Sequence, residues 1–131
     1  MERTFDRVFA FAVLHHLPGA ATRLNLLRAI AMALKPGGEA VISNWQFLSS
    51  ARLSARIVPW ERVGLSNEHV DPGDYLLDWR RGGLGYRYVH NLTEGELWGL
   101  AAEAGLTVVE HYYSDGEGGR LGRYTRLKLL G

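Results

Sequence analysis

The sequence predicts an α/β fold: two parallel strands joined by a crossover helix, then an antiparallel C-terminal strand hairpin, with flanking helices. Three observations predict it. Phe5 to Leu14 is a strand-like run whose apolar residues Val8–Leu14 are uninterrupted by polar alternation, the pattern of a strand buried on both faces. Leu24, Leu27, Ala31 and Leu34 then recur at helical spacing. Near the C-terminus, two apolar segments flank the glycine-dense stretch Gly116–Gly122, which suits a hairpin connection because glycine takes positive φ without steric cost.

The elements follow in order. The first strand ends at the polar pair His15 and His16. The helix runs from about Ala20 to Leu34, with Arg23 and Arg28 turned toward water, and Pro36-Gly37-Gly38 stops it. Glu39 to Ser43 is the second strand, parallel to the first by the right-handed crossover rule. Phe47 to Val58 has the spacing of a short helix ended by Pro59. Tyr86 to Asn91 alternates as a strand, with Tyr86, Tyr88 and His90 on one face and Arg87, Val89 and Asn91 on the other. Thr93 and Glu96 form a capping box for a helix through Ala104, which Gly105 ends. Leu106–Tyr113 and Tyr124–Leu130 are the hairpin strands. The parts are then 1–45 (strand, helix, strand), 46–92 (an insert or lid) and 93–131 (helix and hairpin) of a single domain.

Two motifs carry a family resemblance. FDRVFAFAVLHHLP followed by LKPGGEAVISNW resembles the fourth and fifth strands of class I S-adenosylmethionine-dependent methyltransferases, a Rossmann-like fold in the methyltransferase type 11 superfamily. Pro72–Trp79, Tyr86–His90 and Leu92–Leu97 resemble the branch containing tRNA wobble-uridine carboxymethyl methyltransferases. The resemblance implies the C-terminal half of such a sheet. A family enzyme opens with a strand and a glycine-rich turn leading into a helix, whereas only four residues precede Phe5, and Gly116–Gly122 is followed by a strand. It also implies a strand order of 1, 2, 4, 3, which leaves the first strand as an apolar edge prone to pairing with a second copy as a homodimer.

Composition sets the bounds. The chain has 131 residues, 47% hydrophobic composition and a net charge of +1, which suits one globular domain with no global attraction to nucleic acid. It has no cysteine, so disulfides and thiolate metal sites are excluded. No apolar run is long enough to span a membrane and no signal-peptide pattern opens the chain; the expected location is cytoplasmic. Its cations are thirteen Arg and two Lys, reflecting either bidentate anion recognition or a GC-rich genome.

Candidate sites gather at the strands' carboxyl ends, where ligands of such sheets bind. By resemblance, the backbone of Phe11 and Ala12 and the turn holding His15 and His16 border S-adenosylmethionine, in a cofactor site left incomplete here; the other reading is that the two histidines cap a strand end. Adjacent histidines without an acidic or thiol partner at ligand spacing do not indicate a metal. Trp45, Arg87, Tyr88 and His90 are the substrate-binding candidates. Aromatics beside cations stack bases and grip phosphates or carboxylates, and the Arg87 fork matches a carboxylate; its alternative is an ion pair with Asp74 or Asp78, and Tyr88 and His90 serve equally well as packing residues. Asp74 and Asp78 read as surface partners of arginines, and Glu94 and Glu96 as helix N-terminal anions.

No catalytic residue is assigned. The expected function is methyl transfer to a small-molecule or tRNA acceptor, probed against a different class, a non-catalytic RNA- or protein-binding module using the Arg and Tyr cluster. A hydrolase has no support, since neither GxSxG nor HExxH occurs.

Overall fold

A computed structural model describes residues 5–79, 83 and 85–130. The main sheet contains β1 (Phe5–Phe11), β2 (Leu34–Trp45), β6 (Leu106–Ser114) and β7 (Gly122–Leu129), in the order β1-β2-β7-β6. The first pair is parallel and the other two are antiparallel. This is the order expected from the sequence. Helix α1 (Ala20–Ala33) makes the β1-to-β2 crossover and α3 (Glu94–Glu103) leads into the hairpin.

One sheet face is covered. Ala40 and Ile42 of β2, Leu127 of β7 and Leu106 of β6 pack with Leu27, Ile30 and Ala31 of α1 and with Leu97 and Ala101 of α3; Val8 and Ala10 of β1 lean against the same core. The opposite face is open. There β1 exposes Phe5 (54%), Phe9 (58%) and Phe11 (52%), so its continuous apolar run is half used: Val8 and Ala10 turn inward and the phenylalanines turn to solvent. Phe9, Phe11, Tyr124 and Tyr112 form an aromatic row across this face, with Tyr112 and Tyr124 stacked at 5.4 Å. Beside it, Arg7, Glu39, Arg126 and Glu110 link all four strands through ion pairs of 2.7–3.2 Å. The hydrogen bond from Arg126, ahead of the opposing effect of burial, holds the Glu39 carboxyl below its usual range.

Local chemistry explains the turns. Helix α1 ends where Leu34 becomes extended, one residue ahead of the Lys35-Pro36-Gly37-Gly38 stop. Gly38 is required by close approach: a Cβ there would lie 2.8 Å from the Asp6 carbonyl oxygen, inside van der Waals contact. In the β6–β7 connection Gly116, Gly118 and Gly119 all take positive φ, as a hairpin reading requires. At α3 the capping box is half formed. Thr93 Oγ1 accepts from the Glu96 N–H at 3.2 Å, but the Glu96 carboxylate turns away to other partners.

The 46–92 insert departs most from expectation. It holds a second, three-stranded antiparallel sheet in the order β3 (Ile57–Val58), β4 (Asp74–Trp79), β5 (Gly85–His90). The strand expected over 86–91 is β5. Its partner β4 falls where the sequence suggested a turn-rich segment, and the helix expected over 47–58 is only α2 (Ala51–Ser54). A separate core of Phe47, Leu53, Leu77 and Val89, with Trp45, Trp79 and Leu121 against it, sits under this small sheet. Among the described residues, no helix is long and apolar enough to cross a membrane.

Candidate active site

The carboxyl ends of β1 and β2 bring His15, His16, Asn44 and Trp45 together. After β1, Ala12 takes a left-handed φ of 56°, and its N–H is held by the Ser43 carbonyl (3.1 Å) and by Ser43 Oγ (3.0 Å). This sharp exit drops His15 and His16 into a short helical turn, Leu14–His16. His15 is fully buried. Its Nδ1 lies 3.4 Å from both Asn44 Oδ1 and the Trp45 backbone nitrogen, and a neutral ring satisfies one of them at a time. Burial, then the neighbouring His16, pushes its pKa down to about 3, so it is neutral at pH 7. His16 donates from Nδ1 to the Tyr88 carbonyl at 3.2 Å, tying the turn to β5. Its pKa is also lowered, chiefly by burial and further by the Arg87 charge. The Trp45 ring lies 5.1 Å from the His15 ring and 5.0 Å from the His16 ring.

The substrate-binding candidates divide between two places. Trp45 and Arg87 flank His16. The Arg87 guanidinium lies over Trp79, its Cζ 4.4 Å from the ring centroid, a cation–π contact in place of the ion pair with Asp74 or Asp78. Arg80 and Arg81, from the same cationic stretch, lie outside the described residues. Tyr88 and His90 point into a buried polar joint. Tyr88 donates to Asp74 Oδ1 at 2.6 Å, and the two nitrogens of His90 lie 2.6 Å from Asp74 Oδ1 and 2.8 Å from Glu96 Oε1. Arg23 completes the joint, donating to the Leu17 carbonyl (2.8 Å) and to the Tyr88 hydroxyl (3.2 Å), with its Nε 3.5 Å from Glu96.

This joint corrects two sequence expectations. Arg23 does not face water: it is 1% exposed, because α1 turns that position toward the insert. Asp74 is no surface partner. Its side chain on β4 is only 5% exposed, and although burial favours its neutral form, hydrogen bonds from Tyr88, the Asp71 N–H and His90 prevail and lower its pKa. Tyr88 is raised to about 12, first by burial and then by that bond to Asp74. Asp78, also buried, lies 3.8 Å from Arg56. The joint fixes the insert sheet against α1 and α3, and so fixes where β5 presents Arg87.

Sequence reasoning missed Arg123, which faces Asn44 across β2 and β7 on the covered side of the sheet. Arg123 is buried, donates to the Leu92 carbonyl at 2.8 Å and lies 5.9 Å from the Trp98 centroid. The signal was present in the strand alternation, where Arg123, Thr125 and Leu127 share a face. Buried polar atoms without a partner, among them His15 Nε2 and Asn44 Nδ2, cluster at this end of the sheet. Such atoms mark places able to bind a polar ligand.

An α/β sheet with parallel strands feeding a polar carboxyl end, closed by an antiparallel hairpin, resembles the Rossmann-like fold of S-adenosylmethionine-dependent methyltransferases. Comparisons with known proteins agree. Residues 1–42 match the family described as a methyltransferase domain. A protein named a methyltransferase in Encephalitozoon cuniculi is 29% identical over 108 residues, covering 82% of this chain and 47% of that protein. Among solved structures, an S-adenosylmethionine-dependent methyltransferase from Clostridium acetobutylicum superposes on the whole chain and 61% of its own, with a TM-score of 0.69 at 11% identity. One from Methanosarcina mazei matches 99% of this chain and 62% of its own, at 0.68 and 20%. The 1,6-didemethyltoxoflavin-N1-methyltransferase of Burkholderia thailandensis, solved with its substrate and S-adenosylhomocysteine, matches the whole chain and 46% of its own, at 0.63 and 19%. The chain therefore spans about half the length of the curated relative it matches.

Proposed function

We propose that this chain forms the acceptor side and part of the cofactor wall of an S-adenosylmethionine-dependent methyltransferase. The observation that carries the reading is the convergence of the Ala12–His16 turn, Trp45 and Arg87 at the carboxyl end of a sheet with the methyltransferase fold. S-adenosylmethionine would supply an electrophilic methyl group on its sulfonium. The residues present fit that group in part: the backbone of Phe11 and Ala12 and the neutral turn of His15 and His16 offer one wall. The glycine-dense segment 116–122 joins antiparallel strands and so is not the glycine-rich cofactor turn that opens a helix. The 131-residue chain alone is therefore expected to bind the cofactor weakly and to turn over little or not at all.

The chain's own residues would align and desolvate an acceptor. Trp45 gives a stacking face and Arg87, braced on Trp79, a cation for an acidic group. No side chain at the site is placed as a general base, and a carboxylate acceptor needs none, because an acid of pKa about 4 is ionised at pH 7. The site is therefore compatible with a carboxylate acceptor, on a small molecule or on tRNA. Ultraviolet cross-linking with methyl-tritiated S-adenosylmethionine should label the peptide containing Phe11–His16; labelling confined to other peptides would refute the reading.

A binding-module reading is favoured by one specific observation, the exposed Phe5, Phe9 and Phe11 on edge strand β1. We infer that two copies pair through β1. In antiparallel pairing centred on Val8, all seven strand residues overlap, Phe5 faces the second copy's Phe11, Arg7 faces its Phe9, and no like charges meet. Light scattering should give a dimer that Phe9→Lys dissociates; a monomer at high concentration would exclude this pairing. RNA binding that weakens with salt and needs no cofactor would instead support a non-catalytic RNA module.

A further inference from the structure

A cavity of about 340 Å³ opens where β2 leaves the main sheet, beneath the glycine-rich β6–β7 connection. Its lining includes Gln46, Ser49, Arg52, Gly118, Arg120 and Leu121. We propose that this cavity binds a phosphate ester carried by the methyl acceptor, an inference that rests on the acceptor-side reading above.

Three observations point to an anion. First, the polar side chains named in the lining are all able to donate hydrogen bonds. Second, neither Arg52 nor Arg120 has a carboxylate within ion-pair distance among the described residues. Arg120 is held in place without a counter-charge, its guanidinium 4.4 Å from the centroid of the Tyr113 ring. Third, the Gln46 side-chain nitrogen is buried without a hydrogen-bond partner, a donor that costs free energy until something accepts from it.

Position links the cavity to the acceptor. Gln46 follows Trp45 directly, and its N–H donates to the Leu121 carbonyl at 2.6 Å. Leu121 in turn packs in the small core that holds Trp45 and Trp79. Leu121 thus lines the cavity on one side and on the other packs in the core that carries Trp45 and Trp79, which places the cavity next to the Arg87 platform. Two guanidinium forks match the roughly −1.5 to −2 charge of a phosphate monoester at pH 7 better than the single charge of a carboxylate. Both arginines are exposed, so the binding should weaken as salt screens it.

The test is an amide-detected NMR titration of the 131-residue chain with inorganic phosphate, methyl phosphate and acetate. The expected result is saturable shifts at the Gln46 side-chain amide, Gly118 and Arg120, with methyl phosphate binding at least as tightly as inorganic phosphate and acetate much more weakly. The double variant Arg52→Gln/Arg120→Gln should lose affinity at least about tenfold, a change of roughly 1.4 kcal/mol, while Arg28→Gln on the exposed face of α1 leaves it unchanged. No saturable shift, equal affinity in the double variant, equal response to acetate, or binding of inorganic phosphate but not the ester would each overturn the proposal. The probes contain no cofactor, so failure here is distinguishable from failure of the cofactor wall, which is read at Phe11–His16.

Discussion

Replacing Arg23 with methionine should destabilise the chain by about 3 kcal/mol. The side chain is 1% exposed and serves the Leu17 carbonyl, the Tyr88 hydroxyl and the Glu96 carboxylate. Hydrogen bonds from a charged donor contribute roughly 1.5–3 kcal/mol each, and the two bonds lost leave a carbonyl and a hydroxyl short of a donor. The pair with the part-exposed Glu96 adds up to about 1 kcal/mol. Methionine of similar length refills the space and recovers about 1–2 kcal/mol through apolar burial. For a domain of this size the net loss corresponds to roughly 10 °C in Tm. Urea unfolding followed by far-ultraviolet circular dichroism measures it, with Arg28→Met as the exposed control expected within about 0.5 kcal/mol of the parent. A loss below about 1 kcal/mol for Arg23→Met would refute the idea that this joint fixes the insert to the core. Tyr88→Phe should cost about 1–3 kcal/mol and be non-additive with Arg23→Met, since the two share a hydrogen bond.

Acid should destabilise the fold before most carboxylates titrate. The buried His15 stays neutral down to about pH 3 while the unfolded ring binds a proton below about 6.5, so stability is full above about pH 6.5 and falls as pH drops toward 3. The loss is about 2–3 kcal/mol between pH 6.5 and 4.5 at 1.36 kcal/mol per pH unit, with His16 acting in the same direction. Urea midpoints at the two pH values check it, and His15→Gln should flatten the dependence; an unchanged slope would contradict the burial argument. Gly38→Ala should cost about 1–3 kcal/mol through overpacking against the Asp6 carbonyl and loosen the start of the β1–β2 ladder, read as faster amide exchange at Arg7 and Glu39. Parent-like exchange would show that the strands part there at no cost.

The main sheet was legible because its signals are local and strong. The β1 run, the α1 spacing, the Pro36-Gly37-Gly38 stop and the glycine-rich hairpin each specify one element, and the strand order followed from the resemblance. Strand β4 was misread because Pro72-Gly73 and the two aspartates signal a turn, while Tyr75-Leu76-Leu77 and Trp79 carry the strand signal that its pairing with β5 makes real. The joint was illegible for a different reason. Arg23 lies far in sequence from Asp74, His90 and Glu96, and nothing in a single chain says that a helix arginine will be buried by a distant insert. Helix periodicity turned Arg23 toward water, and tertiary packing buried it. At the site, Trp45 was singled out by its position at a strand end and Arg87 by its residue type. The roles of Tyr88 and His90 turned on which face of β5 met the core, which alternation alone leaves open.

The most direct test of the methyltransferase reading is a titration of the isotope-labelled chain with S-adenosylhomocysteine, followed residue by residue by NMR. The account predicts shifts centred on Phe11, Ala12, His15 and His16, with a dissociation constant near the millimolar range, about 4 kcal/mol of binding. Micromolar affinity, or shifts that bypass these residues, would contradict it.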